Sequence, residues 1–256
     1  MPSTQTALSK YLDRLAPPVG LLLLILSIAI GAGTGFAAVL FIKLIYGIQH
    51  LGYEVLPNLL PWLGNFVYFI VPVIGGLLVG PLILFAQEAK GHGVPEVMQA
   101  LIIRGGRIRA RVAAAKIVAS ALCIGTGGSA GREGPIVQVG SALGSSIGQV
   151  LRLSDDRIRN LVGCGAAAGI AATFNAPIAG VVFSIEVLMG NLQVRSFGNV
   201  VIAAVSSSIV SRFFLGAQPA FSIPIHSRVS PVSLVFYLVL WLLSALVGIM
   251  FIRMLN

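Results

Sequence analysis

Charge is what this 256-residue sequence has least of. It carries 8 acidic and 17 basic side chains, so charged residues make up 10% of the chain and apolar ones 57%. A water-soluble domain is about a quarter charged. Together with a mean hydropathy of +0.96, the shortage excludes that class. Cysteine is almost absent as well. Cys123 and Cys164 stand among small apolar residues, with no second cysteine or histidine at ligand spacing. That pattern argues against a disulfide or a metal site and leaves both as packing residues. No sequence signature calls for a metal or a cofactor.

Long apolar runs are abundant. A helix crossing ~30 Å of hydrocarbon needs roughly 20 apolar residues, and the stretches Leu15 to Ile42 and Val55 to Ala86 exceed that without a charged side chain. Both read as transmembrane. The first outlasts the apolar core of a signal peptide, so it is expected to stay as an uncleaved helix. The net charge of +9 does not point to nucleic acid, because the basic residues sit in short loops between apolar runs and not on one polar face. Arg104, Arg107, Arg109 and Arg111 crowd one loop, and Lys10 and Arg14 precede the first span. The positive-inside rule places both groups, and hence the N-terminus, on the cytoplasmic side. The expected class is an all-α, multi-pass integral membrane protein with lipid as its solvent.

Beyond the two long spans the runs shorten and fill with Gly, Ala and Ser, as in Ala110 to Gly131, Pro135 to Leu151, Leu161 to Asn175, Ile178 to Met189 and Phe197 to Phe213. Small residues let helices approach closely in lipid, and short, interrupted segments are the mark of broken helices that meet at a site inside the membrane. Pro95, Pro135 and Pro177 each open an apolar run, where a proline suits the first helical turn because its missing N–H would lack a partner anyway. A polar stretch from Gln218 to Ser230 separates these runs from a last one beginning at Pro231.

Three helix starts share a chemistry: Gly91-His92-Gly93-Val94-Pro95-Glu96, Gly131-Arg132-Glu133-Gly134-Pro135, and Gly169 to Pro177 ending in Phe174-Asn175-Ala176-Pro177. A helix N-terminus offers unpaired N–H groups and roughly half a positive charge, which bind an anion without a full cation. Glycine ahead of the helix lets an ion come close to the backbone. Three such ends in one membrane chain suggest an anion site.

These residues resemble the CLC family of chloride channels and chloride/proton exchangers. GHGVP is similar to the family's GSGIP, GREGP matches its second motif at every position, and Gly169 to Glu186 follow its third, GxxxxFxAPxxGxxFxxE. The resemblance implies a CLC-type bundle of tilted and broken helices built as two inverted repeats, in a homodimer whose subunits each hold a pore. By that comparison residues 1–230 form the first repeat and 231–256 the opening helix of the second, without the family's later GxFxP motif and pore tyrosine. It also implies chloride or another small anion as cargo. The anion-binding candidates are Gly91, His92, Gly93, Val94, Pro95, Gly131, Arg132, Gly134, Pro135, Phe174, Asn175, Ala176 and Pro177.

Glu133 has two readings. A carboxylate near a helix start commonly caps the helix. It is also an anion, able to occupy an anion site when ionised and to leave it when protonated, and the resemblance makes it the gate. His92 stands where the family usually has serine; its imidazole can donate to an ion, and as His⁺ it attracts one more strongly. Val187 stands where the family's exchangers carry a second, proton-relaying glutamate, and valine cannot hold a proton. The sequence therefore favours a passive anion pathway, with chloride/proton exchange as the alternative and transport of an organic anion as a remote third reading. An organic substrate needs an apolar pocket and a counter-charge, which the three motifs do not supply. Gly127 to Gly131 also spell the G-x-S-x-G of serine hydrolases. That chemistry needs a strand before the turn and a histidine in reach, with only His50, His92 and His226 on offer, so no enzyme is expected.

Overall fold

A computed structural model describes residues 20–85, 87–190, 194–216 and 230–255. It is helical throughout, and no strand occurs among the described residues. Lys10, Arg14 and the polar stretch from Gln218 to Val229 lie outside the described residues.

Helix α1 spans Leu21–His50 and runs on through a wide turn, Leu51–Val55, into a last turn at Leu56–Leu59. It stops at Leu60, whose backbone (φ −128°, ψ 69°) is non-helical because Pro61 crowds the residue before it. This moves both expected span boundaries. Lys43 does not end the first helix but is carried within it, and Val55 to Leu59 belong to the end of α1 instead of the second span. That span begins at Pro61–Phe66, turns at Gly64 (φ 47°), and continues as α2, Val67–Phe85. The remaining helices are α3 (Val94–Ile103), α4 (Arg111–Gly125), α5 (Glu133–Val150), α6 (Asp155–Phe174), α7 (Pro177–Phe183) with a wide-turn extension at Ser184–Met189, α8 (Val194–Leu215) and α9 (Pro231–Leu255).

Segments long and apolar enough to cross a membrane are Leu21–Leu59, Pro61–Leu84, Phe197–Leu215 and Val232–Met254. Helices α3 and α7 are much shorter, 10 and 7 residues, so at 1.5 Å per residue each covers about half of the hydrocarbon or less. Two compact units are distinguished: one holds α1 to α8, and the other holds α9 alone among the described residues.

The first unit is organised around α6, in which every residue from Asn160 to Thr173 is buried. Helix α5 packs on it through Gly140 and Gly165. A Cβ on either would strike the other's carbonyl oxygen, so the contact exists only because both are glycine. On another side, Asn199, Ser207 and Ser211 of α8 donate to Asn160 Oδ1, Ala168 O and Ala172 O of α6, each across 39 positions. A constant separation means that α6 and α8 run parallel and in register. Interhelical bonds of this kind average about 0.6 kcal/mol each in lipid. Cys164 is fully buried, with its sulfur 3.6 Å from Ser27 Oγ of α1, so it packs as expected.

Candidate functional site

Each proline sits in the first turn of its helix. Pro95 is in the first turn of α3, Pro135 follows Glu133 and Gly134 at the start of α5, and Pro177 opens α7. Gly169, by contrast, does not precede a helix. It lies inside α6 against the Ile136 carbonyl, so it serves helix packing and cannot admit an ion.

The first two starts meet through backbone. A Cβ on Gly93 would meet the Gly134 carbonyl, and one on Gly134 would meet the His92 carbonyl. Gly93 also has φ 109°, a conformation closed to ordinary side chains. The third start touches the second through Arg132, whose guanidinium lies 5.9 Å from the ring centre of Phe174. Asn175 closes α6 in a left-handed conformation (φ 54°), and its Oδ1 accepts hydrogen bonds from Ser208 Oγ at 3.2 Å and from Arg212 Nε.

Two open cavities flank Glu133. One, of about 570 Å³, is lined by Gly91, His92, Val94, Lys116, Cys123, Ser129, Gly134 and Pro135 among others. The second, of about 320 Å³, is lined by Ile42, Ile45, Tyr46, Gln49, Ile124 and Arg132. Ile124, Ala130, Gly131 and Glu133 belong to both walls. Glu133 is the first residue of α5 and is exposed, and its carboxylate folds back onto Gly131. A carboxylate there can stand between the cavities or swing out of the way. His92 is exposed to the larger cavity. Phe174, Asn175, Ala176 and Pro177 line neither cavity; Arg132 brings the third start against the second at Phe174. Val187 is 39% exposed, on the wide turn after α7.

Two residues were not singled out by the sequence reading. Lys116 of α4 is buried, and its ammonium donates to Ala89 O at 2.9 Å and to Gly91 O, beneath the His92 loop. The signal was present: a lone lysine inside an apolar membrane segment marks a functional position. Glu96 closes the first motif. Its Oε2 accepts the Gly93 N–H at 2.6 Å, the side-chain half of a capping box, so the start of α3 already holds an anionic group. Ser129 of the G-x-S-x-G run follows helix α4, not a strand, which removes the nucleophile-elbow geometry.

Comparison with known proteins agrees with this architecture. The profile of the voltage gated chloride channel family matches residues 74–256. A relative of Ralstonia nicotianae, named as a ClcB-like chloride channel protein, is 35% identical over 74% of this chain and 44% of its own length. The H(+)/Cl(-) exchange transporter ClcA of Yersinia pestis is 32% identical over 90% of this chain and 50% of its own length. The crystal structure of a slow cyanobacterial Cl-/H+ antiporter superposes with a TM-score of 0.76 at 25% identity, covering 91% of this chain and 55% of that one. The chain thus spans about half the length of the curated relatives it matches. With the family profile covering most of the sequence and the same helical frame beneath it, this chain belongs to the voltage gated chloride channel family.

Proposed function

We propose that this chain supplies one half of a pathway that exchanges chloride for protons across the membrane, with Glu133 as the gate. The observation that carries the reading is the position of Glu133 at the start of α5, in the walls of both cavities. When ionised, its carboxylate competes with chloride for the N-terminal end of α5. When protonated, it loses the charge that made it a competitor and releases the site. Lys116 and Arg132 add positive charge on either side, and His92 faces the larger cavity as a hydrogen-bond donor to a passing ion.

Val187 alone favours a passive pathway. The relatives favour exchange: those matched over 90% or more of this chain are named as H(+)/Cl(-) exchange transporters, one matched over 74% is named as a chloride channel protein, and the similar crystal structures are of Cl-/H+ and fluoride/proton antiporters. Exchange is therefore the better-supported reading. In the same proposal residues 1–230 form one of two inverted repeats, 231–256 open the second, the arginine loop faces the cytoplasm, and two copies pair in the bilayer. No enzymatic reaction belongs to it.

The test is a liposome flux measurement on the purified protein. An outward chloride gradient is expected to pull protons inward against their own gradient at a fixed stoichiometry. Chloride efflux with no accompanying proton movement would return the passive reading.

A further inference from the structure

In the exchange reading a proton has to reach Glu133 from the arginine-rich side, and the Val187 side chain cannot carry one. We propose that Glu96 carries it. The proposal rests on the exchange reading above.

Glu96 lines a cavity of about 90 Å³ whose other walls include Arg104, Arg107, Arg109, Gln99 and the buried Gln138. This is the side that carries the loop between α3 and α4. The Glu96 carboxylate stands against Gly91, with Oε1 where a side chain on Gly91 would have to be. Gly91 in turn lines the larger cavity shared with Glu133. One carboxylate therefore separates the arginine-lined cavity from the one that holds the gate. Glu96 and Glu133 are the only carboxylates lining either of these two cavities among the described residues.

The two oxygens of Glu96 divide the work. Oε2 is held by the Gly93 N–H at 2.6 Å, which anchors the side chain. Oε1 lies toward Gly91 and can take a proton without breaking that anchor. The larger cavity is polar along the His92, Lys116, Ser120 and Ser129 side and roomy enough for several waters, each of which needs about 30 Å³. A proton taken up on Glu96 leaves through such water and lands on the Glu133 carboxylate. Glu96 returns to a carboxylate, Glu133 becomes a carboxylic acid, and no other bond changes. The charged groups set around Glu96 are Lys116 from α4, the three arginines of the loop, of which Arg107 also pairs with Asp155 at 2.9 Å, and His92 and Glu133 across the Gly91 wall. The turn Ser184–Met189 packs against α3 and carries Glu186, which is exposed.

The experiment compares the parent protein with Glu96→Gln and Glu96→Asp in liposomes, recording chloride efflux and proton uptake together. Glutamine keeps the acceptor for the Gly93 N–H but cannot carry a proton, so a purely capping role predicts parent-like coupling. The expected result is that proton uptake per chloride falls about tenfold or more in Glu96→Gln while chloride still flows, and that Glu96→Asp moves protons again. An unchanged ratio in Glu96→Gln overturns the proposal, as does a loss of both fluxes in equal proportion, or a Glu96→Asp protein as uncoupled as Glu96→Gln. A parent that moves no protons brings down the exchange reading and this proposal with it. A coupled parent with a coupled Glu96→Gln brings down this proposal alone.

Discussion

The carboxylate of Glu133 lies folded over Gly131, in the space that any side chain there would need. The proposed gate and its seat thus belong to one short turn, and the seat exists because residue 131 has no Cβ. Replacing Glu133 by Ala or Gln removes the ionisable competitor, so anion flux in liposomes is expected to lose its dependence on pH. A mutant with the parent's pH profile would take Glu133 out of the gate. Gly131→Ala displaces the carboxylate without deleting it and is expected to raise chloride efflux at neutral pH while leaving a pH dependence in place.

His92 faces the larger cavity from the loop that packs on Gly134. An imidazole and a hydroxyl present different donors to a spherical and a planar anion, so His92→Ser is expected to change the ratio of nitrate to chloride flux. Equal ratios in mutant and parent would place the ring outside the ion's path.

Lys116 ties the carbonyls of Ala89 and Gly91 together from beneath. Lys116→Met deletes both bonds and leaves the carbonyls without their donor. With hydrogen bonds to charged groups worth about 1.5–3 kcal/mol each, chloride flux per folded protein is expected to fall roughly tenfold or more. Flux within twofold of the parent, roughly 0.4 kcal/mol, would show that the loop holds its shape without the lysine.

Gly140 meets the Gly165 carbonyl at the crossing of α5 and α6. Gly140→Ala forces backbone apart in a fully buried contact, where overpacking costs about 1–3 kcal/mol. A lowered thermal unfolding midpoint in detergent is the expected outcome, with Gly165→Ala behaving alike. A midpoint equal to the parent's would mean that the crossing can open without loss.

The sequence by itself determined the helical membrane class and where the three helix starts fall, because both follow from local chemistry. Apolar runs of that length are stable only in lipid. Pro95, Pro135 and Pro177 act on their own backbone and on the residue before them, whatever packs around them. The family motifs were equally legible, being written in consecutive residues. Local reading failed where a contact had to be made across the chain. It assigned Gly169 to a helix start, although only the packing of α6 on α5 explains that glycine. It passed over Lys116, which reaches its Gly91 partner across 25 positions, and Glu96, whose carboxylate meets Gly91 through the curl of a loop. It also broke the first span at Lys43, where the tertiary structure carries the helix on to Leu59. Which starts share a cavity was likewise a tertiary matter: His92 and Glu133 face one space because Gly93 and Gly134 bring two backbones into contact. Burial between distant segments is decided by all the helices at once, and a pattern read along one of them has no term for it.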